Sequence, residues 1–189
     1  CGKDELTRVT ETYRRLRNTM RYLLGSLTDF DPKTNKIAVT QMPELDQWAL
    51  NELYELIEKV EAAYESYDFY KVYHALNQYC TVTLSAIYLD VLKDRLYTWK
   101  SDGVPRRSSQ TVIYYILESL MGLMAPILSF LAEESYSHYA FKTKESVFLT
   151  DFPKASPEWK NLGMKEKFVT LIEVRTEVQK ILENLRAQK

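Results

Sequence analysis

The chain is poor in the residues that most often carry chemistry. It has two cysteines, two histidines, five glycines and six prolines among 189 residues. Five scattered glycines cannot build a glycine-rich phosphate loop of either common kind, because each kind needs several glycines at fixed short spacing. Cys1 and Cys80 stand alone, and neither His74 nor His138 has a partner at ligand spacing, so no metal-binding residue is assigned. One conceivable Cys1–Cys80 disulfide is no framework for a stapled secreted scaffold, and the setting expected is reducing and cytoplasmic. No apolar run approaches the roughly 20 residues that a membrane-spanning helix needs, so no membrane partner is expected. The chain opens Cys1-Gly2-Lys3 without an initiator methionine, and the expectation is a piece of something larger.

Catalytic constellations are equally sparse. Glu133 and Glu134 are paired carboxylates, but adjacent helix residues point 100° apart and cannot share one site. Asp90 and Asp94 do share a helix face, and the neighbouring Lys93 and Arg95 make them part of an ion network rather than a cation site. No set of side chains supports a Ser-His-Asp triad. No catalytic residue is assigned.

What the chain does have is segregated charge. The net charge of −1 hides six Lys/Arg against three Asp/Glu in residues 1–27, seven acids against one lysine in 44–65, and five bases against two acids in 93–107. If the two basic stretches meet in space, a positive patch sits on a roughly neutral body.

Helical periodicity dominates the rest. The first helix, about Lys3 to Leu27, places Tyr13, Leu16, Met20, Leu23, Leu24 and Leu27 on one side. Arg14, Asn18 and Arg21 gather on the opposite side, with Arg15 and Arg17 on its flanks. A solvated helix face usually mixes charge signs. Here four arginines fall within eight residues and Glu11 is the nearest acid. Guanidinium groups beside an amide suit phosphate and sugar contacts on a nucleic acid. Arg17 is equally placed to brace the helix from the edge of its apolar face.

A second helix starts near Leu45, with Leu45, Trp48, Ala49, Leu53, Leu56, Ile57, Val60 and Ala63 in register and a favourable Glu55–Lys59 pair on its polar side. Asp68 is a candidate N-cap for a third helix, Phe69 to Tyr97. That helix is apolar nearly all round from Val82 to Leu92, which predicts the central position in a bundle. A fourth helix is expected from a Ser108/Ser109 cap to about Tyr139, kinked at Pro126. Residues 146–152 read as a short extended segment, and a last helix spans roughly Lys165 to Ala187. The fold class expected is all-α: an antiparallel helical bundle of about five main helices.

Lys93, Arg95, Arg106 and Arg107 fall at one end of this bundle beside Tyr97 and Trp99. Basic side chains interleaved with aromatic rings suit nucleic acid, since rings can stack on bases. The alternative is that the two rings cover the bundle end as core. An arginine stripe that meets an acidic protein is the rival from another functional class.

Several ordered landmarks carry a resemblance. They are Tyr13-Arg14-Arg15-Leu16-Arg17-Asn18-Thr19-Met20-Arg21-Tyr22-Leu23-Leu24, Leu45-Asp46-Gln47-Trp48-Ala49, Tyr64-Glu65-Ser66-Tyr67-Asp68-Phe69, Ile87-Tyr88-Leu89-Asp90-Val91-Leu92-Lys93-Asp94-Arg95-Leu96-Tyr97, Arg106-Arg107-Ser108-Ser109-Gln110-Thr111 and Met124-Ala125-Pro126-Ile127-Leu128. In this order they resemble the anticodon-binding helical domain of isoleucyl-tRNA synthetase, a class I aminoacyl-tRNA synthetase. The valine, leucine and methionine enzymes are the alternatives. The family's His-Ile-Gly-His and Lys-Met-Ser-Lys-Ser signatures are absent, as are its editing domain and zinc-binding cysteine pairs.

The resemblance implies a fragment that positions tRNA for chemistry located elsewhere. Residues 1–153 would form the anticodon-binding bundle, and residues 154–189 a C-terminal helix packing on it or extending from it. Arg14, Arg15, Arg17, Asn18 and Arg21 would contact the anticodon stem-loop. Lys93, Arg95, Trp99, Arg106 and Arg107 would face either the RNA or the catalytic domain of the same parent chain. No cofactor is expected in the fragment; ATP and Mg, and zinc in many members, would serve the parent, which would be a monomer.

Overall fold

The computed structural model describes residues 2–187, and of residues 3–5 the backbone alone. Among the described residues seven α-helices follow one another: α1 Lys3–Gly25, α2 Glu44–Glu65, α3 Phe69–Gln78, α4 Leu89–Tyr97, α5 Val104–Met124, α6 Ser129–Ser137 and α7 Leu162–Ala187. A π-helical stretch, Tyr79–Tyr88, joins α3 to α4 without a break. Single 3-10 turns occur at Val39–Gln41, Val147–Leu149 and Pro157–Trp159. Among the described residues there is no strand, so the all-α fold class holds. None of the described helices is long and apolar enough to cross a membrane.

Leu16, Met20 and Leu23, with Leu27 in the turn that follows, seat α1 against α5, α6 and the π-helical stretch. Each such fully buried side chain contributes about 1.5–3 kcal/mol by leaving water. On α2, Trp48, Leu53, Ile57 and Val60 are buried against α3, α5 and α7. Asp68 caps α3 as the sequence predicts, its side chain accepting from the Lys71 N–H at 3.4 Å.

The central helix is α5, not the segment from Val82 to Leu92. Val82 and Val91 are about half exposed, whereas every residue from Ser108 to Ile113 is buried. Hydropathy passes over this because Ser108, Ser109, Gln110 and Thr111 are polar. They are buried at little cost because each finds a partner. Ser109 and Thr111 donate back to the carbonyls of Pro105 and Arg107 at 3.0 and 2.8 Å, and Ser108 donates to Asp46 at 2.6 Å. These serines therefore lie inside the helix rather than capping it. α5 begins instead after Gly103, with Pro105 in its first turn, where a missing N–H costs nothing.

Three further expectations change. Pro126 ends α5 instead of kinking it, and α6 starts three residues later as a separate helix. Within 146–152 a 3-10 turn at Val147–Leu149 interrupts the extended backbone of Ser146 and Thr150, because the Glu133 carboxylate accepts from the Ser146 hydroxyl (2.8 Å) and the Val147 N–H (3.0 Å) and folds the chain back on α6. Glu55 pairs not with Lys59 but with Lys165, at 2.7 and 2.8 Å to its two oxygens, which ties α2 to α7. Trp48 stacks on Phe168 there, ring centroids 5.1 Å apart. Cys80 is buried and free, while Cys1 lies outside the described residues.

Candidate nucleic-acid interface

α1 has an apolar side held by the core, two flanks and an open ridge. Arg14, Asn18 and Arg21 lie on the ridge and are exposed to solvent, as the 100° rotation requires. Arg14 is paired with Glu11 one turn earlier at 3.2 Å, an exposed contact of small energetic weight.

The flanks differ. Arg17 reaches across to α6, where its Nε donates to Glu134 Oε2 at 3.2 Å and its Nη2 donates to Oε1. This two-pronged pair holds the Glu134 carboxyl below its ordinary range. It places Arg17 as the brace between two helices. Arg15 turns the other way. With Asn18, Tyr22, Thr81, Asp90 and Lys93 it lines a groove of about 500 Å³ between α1 and the stretch leading into α4. The two basic stretches of the sequence therefore do meet. Lys93 is exposed, and its Nζ lies 2.8 Å from Asp90, which is also held by Arg175 of α7 at 3.2 Å.

A second groove, about 410 Å³, continues along α1 toward its C-terminal end and is lined by Arg21, Tyr22, Thr28, Tyr97 and Arg106. Tyr22 is the wall shared by the two grooves. Burial first, and then the neighbouring Tyr97, pushes its hydroxyl up to about 12, so it remains a neutral donor at physiological pH. Tyr97 and Trp99 are exposed rather than packed as core. Sequence reasoning did not single out Tyr22, Thr81 or Ser85 as groove residues. Only the angle of Tyr22 beside Arg15 on the helical wheel signals it.

Three guanidinium groups of the second basic cluster turn inward, with side chains only 17% (Arg95), 16% (Arg106) and 13% (Arg107) exposed. Arg95 donates from Nη1 to Asp46, a residue wholly buried on α2 that also accepts from Tyr88 at 2.7 Å and Ser108 at 2.6 Å. Arg106 forks onto Asp29 at 2.6 and 3.2 Å and also donates to the Leu96 carbonyl. Arg107 donates to the Asp29 carbonyl (2.7 Å) and to Gln110 Oε1 (2.8 Å). The Gln110 amide closes the cluster on Asp29 Oδ1 at 2.7 Å. Burial pushes the Asp29 carboxyl up, but Arg106, Gln110 and Arg107 outweigh it and hold it below the usual range. These contacts fix the loop after α1 onto the first turns of α5, and so set where Arg21 and Tyr97 stand.

The arrangement can bind an extended anion. It presents cations and an amide on a rigid helix with exposed rings beside them. His74 packs edge-on against Tyr70, with centroids 4.1 Å apart, and His138 closes α6. Among the described residues no group of three or more His, Cys, Asp or Glu is arranged to hold a metal ion.

Residues 46–189 match the family described as the anticodon-binding domain of tRNA ligase. The chain is 50% identical along its whole length to an isoleucine–tRNA ligase of Geobacter sulfurreducens and covers 20% of that protein. It is 49% identical, again over its whole length, to one of Caldicellulosiruptor saccharolyticus, of which it covers 21%. With the isoleucine–tRNA ligase of Fervidobacterium nodosum the identity is 46% over 98% of the chain and 20% of the relative. The chain thus spans about a fifth of the length of the curated relatives it matches. It belongs to the family of anticodon-binding domains of tRNA ligases.

Proposed function

We propose that this chain holds the anticodon arm of a tRNA within a longer, cytoplasmic and monomeric isoleucine–tRNA ligase. The observation that carries the reading is the ridge of α1. Arg14, Asn18 and Arg21 project to solvent from a helix braced on one flank by the Arg17–Glu134 pair, with Arg15 and Lys93 lining the groove on the other. A rigid cationic ridge meets phosphates without reordering itself, and phosphate contacts orient an RNA without identifying its sequence. Exposed Tyr97 and Trp99 offer faces on which unpaired loop bases stack.

The longer protein would activate isoleucine with ATP and Mg and transfer it to the tRNA. This part supplies position, so that the far acceptor end reaches the catalytic domain of the same parent. Arg17, Arg95, Arg106 and Arg107 serve the reading indirectly, by fixing α1 to α6, α4 to α2, and the loop after α1 to α5. The test compares affinity for tRNA with affinity for an unrelated acidic protein at physiological salt. Tighter binding of tRNA is expected. Equal or tighter binding of the acidic protein overturns the reading in favour of a protein-binding scaffold.

A further inference from the structure

The apolar stripe of α1 is only half covered. Leu6, Val9 and Tyr13 continue, at helical spacing, the line of Leu16, Met20, Leu23 and Leu27. The last four are buried, while Leu6 and Val9 are each 58% exposed and Tyr13 is also open. The bare half borders an apolar groove of about 470 Å³, formed with Phe69 and Tyr73 of α3 and floored by Leu16. Phe69 is half exposed there, and Tyr67 extends the surface, its ring centroid 6.4 Å from that of Phe69 and its side chain 80% exposed.

Tyr67 has a second distinction. Its φ of 56° makes it the one described non-glycine residue in left-handed backbone. That conformation is unfavourable for a bulky side chain and persists only where the surroundings impose it. It is the conformation in which this turn presents the ring to solvent beside the groove. A contiguous apolar surface of this kind on a folded domain marks a partner site.

We infer that this face, the bare half of α1 with Tyr67 and Phe69, is the seat of the remaining polypeptide of the longer ligase. The inference rests on the reading of the chain as one part of such an enzyme. A polypeptide is favoured over RNA because the groove is lined by apolar and hydroxyl side chains without a cation, unlike the ridge and grooves on the other side of α1. The length relation supplies the occupant: about four fifths of each matched relative lies outside the region that this chain covers. An α1 ridge given to RNA and an α1 stripe given to protein would let one helix fix the anticodon arm relative to the rest of the enzyme.

The experiment places this chain in the Geobacter sulfurreducens isoleucine–tRNA ligase in exchange for the matched fifth. Amide hydrogen exchange is then compared between the graft and the isolated chain, both without tRNA. Exchange at Leu6, Val9, Tyr67 and Phe69 should slow by roughly tenfold or more on grafting, while that at Phe148, also exposed, stays unchanged. Unchanged exchange at the four positions overturns the inference, and so does protection of them by added tRNA in the isolated chain. A Val9→Glu/Phe69→Glu graft should lose the protection while the isolated variant keeps its affinity for tRNA within about twofold. Retained protection in that graft also overturns it. Because the graft and the isolated chain are compared without RNA, a failure of the tRNA-binding reading leaves that comparison standing and is told apart from it.

Discussion

Arg95 and Asp46 face each other across the α4–α2 contact, with Arg95 Nη1 donating to the two carboxylate oxygens at 3.3 and 3.2 Å. Asp46 has no exposed surface, and its remaining acceptor capacity is filled by Tyr88 and Ser108. Removing one partner of a buried pair leaves the other without compensation. Asp46→Ala should therefore destabilise the domain by about 3–5 kcal/mol in urea unfolding. Arg95→Gln, which leaves the two hydroxyl donors in place, should cost about 1–3 kcal/mol. If Arg95 is structural, its substitution leaves the salt dependence of tRNA binding unchanged. A reduced slope at unchanged stability would place its guanidinium on the RNA.

Asp29 and Asp46 should respond to pH in opposite senses. The Asp29 carboxyl is held below its ordinary value in the folded chain. Its contribution is present above the unfolded value, near 4, and disappears as pH falls through the folded value. The stability difference between the wild type and Asp29→Asn should be on the order of 1 kcal/mol at pH 7, reduced by solvent screening, and should vanish in acid. Burial raises the Asp46 carboxyl instead, against the pull of Ser108, Tyr88 and Arg95. Its ionisation costs stability as pH climbs from the unfolded value through the folded one. Urea unfolding at a series of pH values checks both. A wild type–Asp29→Asn difference that persists at pH 2 would contradict the first.

What the sequence shows and what it hides follow from chain separation. The ridge of α1 is legible because Arg14, Asn18 and Arg21 are brought together by rotation within one helix. The partner of Arg17 lies 117 residues away, that of Arg106 lies 77 away, and that of Arg95 lies 49 away. No local pattern encodes such pairs. The central position of α5 is hidden for another reason. Hydropathy counts Ser108 to Thr111 as solvent-loving, although their hydroxyl and amide groups are satisfied inside the fold. The stretch from Val82 to Leu92 misleads in the reverse direction, since apolar residues on its outer side remain exposed. Some of that outer side lies beside the α1 grooves, where an all-round apolar reading offers no clue to function.

Gly122 lets α5 lie close against Pro153 in the segment after α6. A Cβ there would stand 2.5 Å from Pro153 Cγ and 2.6 Å from Cδ. Gly122→Ala would ordinarily favour the helix by up to about 1 kcal/mol. The clash with a ring that cannot swing away should reverse the sign, for a net loss of about 1–3 kcal/mol. Thermal unfolding of the variant checks this, and a raised midpoint would show that the segment yields.

Cys80 is wholly buried, and burial pushes its thiol up to about 12. A thiol held protonated is inert to alkylation. Mass mapping of the Cys80 peptide after iodoacetamide treatment at pH 8 should show it unmodified in the folded chain and modified in urea. Rapid labelling without denaturant would mean that the π-helical stretch opens readily.

The seating of an RNA backbone on the α1 ridge is tested most sharply by the salt dependence of tRNA binding, compared between the wild type and Arg14→Ala/Arg21→Ala. Both side chains are on the exposed ridge, so the variant should fold as the wild type does. Each phosphate deprived of its guanidinium should lower the slope of log affinity against log salt by roughly one unit for duplex-like RNA, so by about two here. Weaker binding with that reduced slope is the predicted result. A slope equal to the wild type's would contradict the assignment of the α1 ridge to the RNA backbone.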